Sequence, residues 1–152
     1  MTVAIPRKTR RRQSKVSKGR SAIMRGNTRR NTKPELALRR LVHARGLRYR
    51  VDKKPSGIRY SADLIFTPSR VAVFVDGCFW HACKEHWTAP KTRQRYWREK
   101  ARDNRLRDRK ANAAYRARGW LVLRIWEHDY AKLESFADRI AKAVWRRMPP
   151  RK

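Results

Sequence analysis

The densest chemistry in the 152-residue chain lies between residues 77 and 91. Cys78 and Cys83 are its two cysteines, and with His81 and His86 they put both thiols and two of the four histidines into residues 78–86. A further histidine, His128, follows the apolar run 120–126. Cys78, Cys83, His86 and His128 make a Cys2His2 set, and thiolates with imidazoles suit tetrahedral zinc. The C-x4-C-x2-H spacing is not a common finger signature, and a reduced thiol pair beside surface histidines is the alternative. The loop has few other means of holding its shape, which favours a structural zinc. His81 is then left over for other work, and His43, inside a helical pattern, reads as an ordinary helix histidine.

Carboxylates are scarce, 12 Asp plus Glu against 42 Lys plus Arg. Most sit beside a basic residue in the sequence. Asp63 does not: it lies between Ala62 and Leu64 in a strand pattern, where Asp is disfavoured and needs a stabilising partner. Asp76 ends the next strand. Glu35 shares a helix face with Leu38 and Val42, an odd place for an acid. It either complements the helix dipole in the first turn or faces an active site. Asp63, Glu35 and Asp108 can converge on one edge of a sheet. Carboxylates gathered against a phosphate backbone need a cation, and Mg²⁺ on one or two carboxylates plus waters is the usual answer. The plainer alternative at Asp63 is an ion pair with a neighbouring arginine. Among the aromatics, Phe79 and Trp80 flank the proposed zinc ligands, and Trp97 opens the long helix. Composition alone favours them as a small apolar cover over the zinc.

Positioning these groups takes seven elements. A helix begins near Asn31-Thr32-Lys33-Pro34-Glu35 and stops at Gly46. Strands are expected at 47–51, 60–66 and 71–75, the last apolar throughout as a strand buried on both faces would be. A long helix is expected over 93–118. Its stripe of Trp97, Ala101, Asn104, Asp108, Ala111 and Tyr115 forms one continuous face. A strand at 120–126 and a helix at 133–146 follow, the latter with Leu133, Phe136, Ile140 and Val144 on one side. The order α-β-β-β-α-β-α implies an α/β sandwich with a central mixed sheet flanked by helices.

The net charge of +30 would repel itself strongly, most simply offset by docking on a polyanion, and nucleic acid is the leading partner. Six Trp and 10% aromatic residues argue for a folded domain rather than a basic tail alone. Residues 1–33 hold twelve Lys or Arg and no acid. Residues 1–20 are expected to form a flexible basic arm that contacts DNA, or an unconstrained terminus that aids solubility. The domain is expected over 21–147, with a basic tail at 148–152. No run is long and apolar enough for a transmembrane helix, and the start MTVAIPRKTRRRQSK lacks the apolar core of a secretory signal. A cytoplasmic protein with free or metal-bound thiols is expected.

The segments GNTRRNTKPELALRRLVHARGLRYRV, SADLIF, VAVFVDGCFWHACKEH, the run from Tyr96-Trp97 to Asn104 and Asp108, and GWLVLRIWEH together resemble the very short patch repair (Vsr) endonucleases. The resemblance spans about residues 21–145. It implies a restriction-endonuclease-like α/β sandwich with a structural zinc. It also implies Mg²⁺-dependent nicking of one DNA strand 5′ of the mispaired T in T·G mismatches left by 5-methylcytosine deamination. Carried over by position, Asp63 matches the Mg²⁺ aspartate and Val75 the residue whose backbone carbonyl completes that site. His81 matches the histidine of general acid–base chemistry, and Glu35 the N-terminal helix glutamate near the active site. Asp108 matches an acid that pairs with a strand-end histidine; Asp76 takes that histidine's place here, so the pairing is not expected in that form. Phe79, Trp80 and Trp97 match the aromatics that wedge beside the mismatch, which reverses the compositional preference. Cys78, Cys83 and His128 fall at or near zinc-ligand places, with His86 the looser match. The Glu-x-Lys of ordinary members of the fold is absent; the corresponding strand reads VAVFV. The resemblance further implies duplex DNA with a T·G mismatch as partner, mismatch-repair helper proteins, a monomer, and a prokaryotic, nucleoid-associated setting.

Overall fold

Thr32, with extended backbone (φ −62°, ψ 156°), caps the first helix, α1, Lys33–Ala44, and Pro34 sits in its first turn where no intrahelical donor is needed. Gly46 at φ +76° ends it, a conformation that a Cβ would strain. The computed structural model describes residues 31–150. The basic arm expected at 1–20 and the last two residues of the tail lie outside them.

Four strands follow: β1 (Arg50–Lys53), β2 (Ala62–Phe66), β3 (Val71–Asp76) and β4 (Leu121–Trp126), with helix α2 (Gln94–Arg116) between the last two. They form one mixed sheet in the order β1-β2-β3-β4. β1–β2 and β2–β3 are antiparallel, and β3–β4 is parallel from Val71↔Leu121 to Asp76↔Trp126. The parallel pair needs a long crossover, and α2 supplies it. After β4 the chain makes a 3-10 helix, Glu127–Lys132, and then helix α3, Leu133–Arg146.

Helices cover both faces of the sheet. Leu64, Phe66, Val71 and Val73 pack with Leu38 and Val42 of α1 and Phe136, Ile140 and Val144 of α3. Ile65, Ala72 and Phe74 point the other way, onto Tyr115 at the end of α2 and Trp120. Period-2 alternation along β2 and β3 therefore serves two apolar layers, which explains why β3 is apolar throughout. The α/β architecture and the mixed sheet match the expectation.

Several boundaries differ from it: β1 ends at Lys53 rather than residue 51, β3 at Asp76 rather than 75, β4 starts at Leu121 rather than 120, and α2 spans Gln94–Arg116 rather than 93–118. The first strand starts at Arg50 rather than residue 47 because Leu47 N–H closes the end of α1 on the Val42 carbonyl at 3.4 Å. The second starts at Ala62 rather than residue 60, because the Tyr60 carbonyl accepts the Tyr115 hydroxyl at 2.9 Å. The 3-10 helix is an unforeseen element; Asp129 lies in it, with a short side chain that favours turns over strand continuation. Among the described residues no helix is long and apolar enough to cross a membrane.

Tyr115 is fully buried, so Tyr115→Phe, which keeps the ring and drops the hydroxyl, should cost ~1 kcal/mol. Ile140→Ala, which opens a void between α3 and the sheet, should cost about 2–5 kcal/mol. Urea unfolding midpoints of the two variants are expected in that order.

Candidate active site and metal centre

Asp63 solves the problem of an acid in a strand by bonding across the sheet. The β2–β3 ladder ends at Leu64↔Val73, and the next free donor on β3, the Val75 N–H, donates to Asp63 Oδ2 at 2.7 Å. Burial pushes the Asp63 pKa from 3.8 to about 6; the Val75 hydrogen bond opposes this, and the charges of Glu35 and Asp76 add to it. Asp63 therefore sits in a pocket of negative potential.

Glu35 is buried in the first turn of α1. Its carboxylate accepts the Asn31 N–H at 2.9 Å and the Thr32 hydroxyl at 2.8 Å, and Arg39 Nη2 lies 3.2 Å away. This is a capping arrangement at the third helical position. Glu35 thus closes the helix start, and its charge acts on Asp63.

His81 Nδ1 lies 2.7 Å from Asp108 Oδ2 and 3.6 Å from Asp76 Oδ1. The acid that lacks its strand-end histidine pairs instead with the loop histidine. Asp76 is buried against Arg124, with Nη1 2.6 Å from Oδ1. Burial pulls the His81 pKa down, but the Asp108 hydrogen bond and the charges of Asp76 and Asp108 outweigh it, and Arg124 offsets part of their effect; the net shift is upward. Three of the four carboxylates here therefore have a positive or imidazole partner: Glu35 has Arg39, Asp76 has Arg124, and Asp108 has His81. Asp63 has no ion pair among the described residues, so the arginine pairing considered for it does not form there. A carboxylate raised to about 6 by burial and like charges fits a divalent cation, which would relieve both.

The thiols and imidazoles converge beside this group. One ligand atom from each of Cys78, Cys83, His86 and His128 lies within 4.8 Å of the others, so the set can hold a metal ion. Cys83 Sγ is 3.7 Å from His86 Nδ1 and 3.6 Å from His128 Nδ1, and Cys78 Sγ is 3.1 Å from His128 Nδ1. A tetrahedron with metal–sulfur bonds of about 2.3 Å and metal–nitrogen bonds of about 2.0–2.1 Å has edges of roughly 3.3–3.8 Å; the two Cys83 separations fall in that range, and the 3.1 Å of Cys78 to His128 lies just below it. His128 turns Nδ1 to the thiols and Nε2 toward Glu85 (3.7 Å) and Asp129 (3.6 Å), carboxylates that orient a ligating imidazole. Burial pushes the Cys78 thiol up to about 11, and a thiolate there needs a cation. Glu127 fixes the loop start by accepting the Cys78 N–H at 2.7 Å.

Phe79 and Trp80 ride on this loop, 36% and 40% exposed. Their rings meet at 5.1 Å, and Trp97 from α2 packs on Phe79 at 5.2 Å. Asn104, midway along the α2 stripe, donates to the Trp80 carbonyl at 2.6 Å and holds the loop to the helix. His43 is exposed on α1, as an ordinary helix residue. Arg124 and Glu127 were missed as site residues. The signal for Arg124 was present, since it is the one charge in the apolar run WLVLRIW.

The family model for DNA mismatch endonuclease Vsr matches residues 14–88. Type II nicking enzyme V.NaeI of Lentzea aerocolonigenes is 43% identical over 132 residues, covering 85% of this chain and 76% of its own. Type II nicking enzyme V.XorIIP of Xanthomonas oryzae is 38% identical over 112 residues, covering 72% and 80%. The DNA mismatch endonuclease Vsr of Escherichia coli is 34% identical over 120 residues, covering 78% of this chain and 76% of its own.

Elemental analysis should find one tightly held metal ion per chain. Cys83→Ala should lose it and melt at a much lower temperature, because a structural site of this kind contributes on the order of 10 kcal/mol of binding energy to the folded state. Metal-free protein that melts like the wild type would contradict the assignment.

Proposed function

The chain belongs to the Vsr DNA mismatch endonuclease family, and from that premise we propose that it nicks one strand of duplex DNA on the 5′ side of the mispaired T in a T·G mismatch. One observation carries the proposal: Asp63 has no ion pair among the described residues while Glu35, Asp76 and Asp108 do. It lies within electrostatic reach of His81. A non-catalytic DNA-binding protein gains nothing from such an acid near phosphates.

Asp63 and the Val75 carbonyl would hold Mg²⁺, and Cys78, Cys83, His86 and His128 would hold structural zinc. When bound, magnesium supplies the positive charge that activates water and stabilises charge developing on the scissile phosphate. The chain's own groups do the rest. His81, anchored through Nδ1 on Asp108, shuttles a proton through Nε2 as water attacks phosphorus and the bond to the 3′ oxygen breaks, leaving a 5′-phosphate and a 3′-hydroxyl. Glu35 keeps the potential around Asp63 negative, which favours the cation. Phe79 and Trp80, exposed and backed by the half-buried Trp97, would form an apolar wedge able to open a stack, and opening costs least at a mismatch. The +30 charge supplies sequence-blind affinity for the phosphates. The family resemblance supports the restriction-endonuclease-like form of the sandwich.

A second reading keeps the chemistry and changes the substrate: a nicking enzyme of this family acting on DNA other than the T·G mismatch. It takes support from the relatives named type II nicking enzymes. Nicking rates on matched and T·G duplexes separate the two.

Asp63→Asn should abolish nicking in excess Mg²⁺ and leave DNA binding intact or tighter. It should also stabilise the magnesium-free protein at pH 7 by ~1–3 kcal/mol, because a raised carboxyl pKa is a cost of folding above that pKa. The sign follows from proton counts. With the folded value at about 6 and the ordinary one at 3.8, the folded state binds more protons in that window, so the cost shrinks as pH falls through it. Nicking by Asp63→Asn near the wild-type rate would remove Asp63 from the metal site.

Trp80→Ala should lower the preference for T·G over T·A duplexes while barely changing the salt dependence of binding. Replacing the Arg and Lys residues at 7–20 should do the reverse, weakening both duplexes alike and flattening the salt slope. A salt series on both duplexes checks both; an unchanged mismatch preference in Trp80→Ala would return Trp80 to a structural role.

A further inference from the structure

Arg124 stands in the middle of β4, a strand otherwise of apolar residues. Each nitrogen of its guanidinium meets a partner on another element. Nη1 is 2.6 Å from Asp76 Oδ1 at the end of β3, and Nε donates to Asn112 Oδ1 on α2 at 2.9 Å. Nη2 is 3.8 Å from Asp108 Oδ1, also on α2. The guanidinium carbon lies 4.4 Å from the centroid of the Phe74 ring on β3. One side chain thus links β4, β3 and α2 at the ends that carry the site.

The two acids it meets are the two that converge on His81 Nδ1, at 2.7 Å for Asp108 and 3.6 Å for Asp76. Two carboxylates cannot share one imidazole nitrogen without repelling each other. Asp76 is only 4% exposed, and a buried acid without a partner would compete with Asp108 for the ring. A guanidinium is suited to hold both, because its planar fork presents several donors in fixed directions.

We propose that Arg124 is a positioning residue for the nicking reaction: by tying Asp76 and Asp108 on the Nδ1 side of His81, it holds the ring with Nε2 turned to the phosphodiester. This rests on His81 being the proton shuttle. The chain shows Asp76 where the family's strand-end histidine would stand, and Arg124 is the cation that makes a second acid tolerable there.

The test is single-turnover nicking of a T·G duplex at saturating Mg²⁺ by wild type, Arg124→Met, Arg124→Lys, His81→Ala and the double variant His81→Ala/Arg124→Met. DNA affinity and melting temperature are measured beside it. Arg124→Met should slow nicking about 10- to 100-fold, the scale of a misplaced catalytic group, with DNA affinity within about twofold. On the His81→Ala background the same change should alter the residual rate by less than about twofold, since a residue that acts through His81 has nothing left to position. Arg124→Lys, which keeps the charge and loses the fork, should fold and remain at least about fivefold slow. A protected Nδ1 proton resonance of His81 is expected in wild type from its 2.7 Å contact with Asp108, and it should be lost in both Arg124 variants. Equal losses with and without His81, a loss explained by weaker DNA binding, wild-type rates in Arg124→Lys, or a retained Nδ1 resonance would each overturn the proposal. If instead His81→Ala nicks as fast as wild type, the assignment of His81 itself fails, and the role of Arg124 falls with it.

Discussion

A half-buried strand carboxylate left without an opposite charge among the described residues is the constraint around which this site is built. Asp63 is held by one backbone donor, the Val75 N–H, and raised to about 6 by burial and by the acids near it. The neighbouring acids are treated differently: each is matched by an arginine or an imidazole within 3.2 Å. Neutralising Asp63 in the same way would stabilise the fold and remove the open carboxylate that the proposed Mg²⁺ site needs. The chain keeps the electrostatic cost at the one carboxylate whose match to the Vsr family is the metal ligand.

The remaining geometry follows from the parallel pairing of β3 and β4. Their register runs out to Asp76↔Trp126, so both strands end at the same level and release two loops side by side. Glu127 takes the Cys78 N–H at the start of one loop, and His128 comes within 3.1 Å of the Cys78 thiol. The four groups able to hold a metal ion thus bring residues 78–86 to the end of β4 with no regular secondary structure needed between. His81, Phe79 and Trp80 are carried on that tie. Asn104 fastens the same loop to α2, and Asp108, one turn further on the same stripe, receives His81. The polar positions in the α2 stripe are therefore where the helix docks the loop.

Much of this was legible in the residues. The helix starts and stops were marked by Thr32, Pro34, Gly46 and Gly119, and the apolar strands by their composition. The Cys2His2 set follows from the clustering of both cysteines with His86, and from His128 after the strand 120–126. The boundary of β1 was not legible, because Leu47 looks equally apolar whether it pairs in a strand or closes a helix. The 3-10 helix after β4 has no periodicity to announce it. The partner of Asp108 was not legible either: sequence position relates it to a strand-end residue, and only the packing of α2 against the loop shows that His81 is nearer. Arg124 was visible as a charge inside an apolar strand, but its meaning depends on two acids from other elements, separated from it by 48 and 16 positions.

The central claim is that Asp63 is left unpaired in order to hold a divalent cation, and counting bound ions tests it most directly. Mn²⁺ favours the same oxygen ligands as Mg²⁺, and its free form gives a paramagnetic resonance signal that disappears on binding. Titrated into zinc-loaded protein at pH 7.5, wild type should bind one Mn²⁺ per chain in competition with Mg²⁺, and Asp63→Asn should bind none. Equal Mn²⁺ binding by the two proteins would contradict the account.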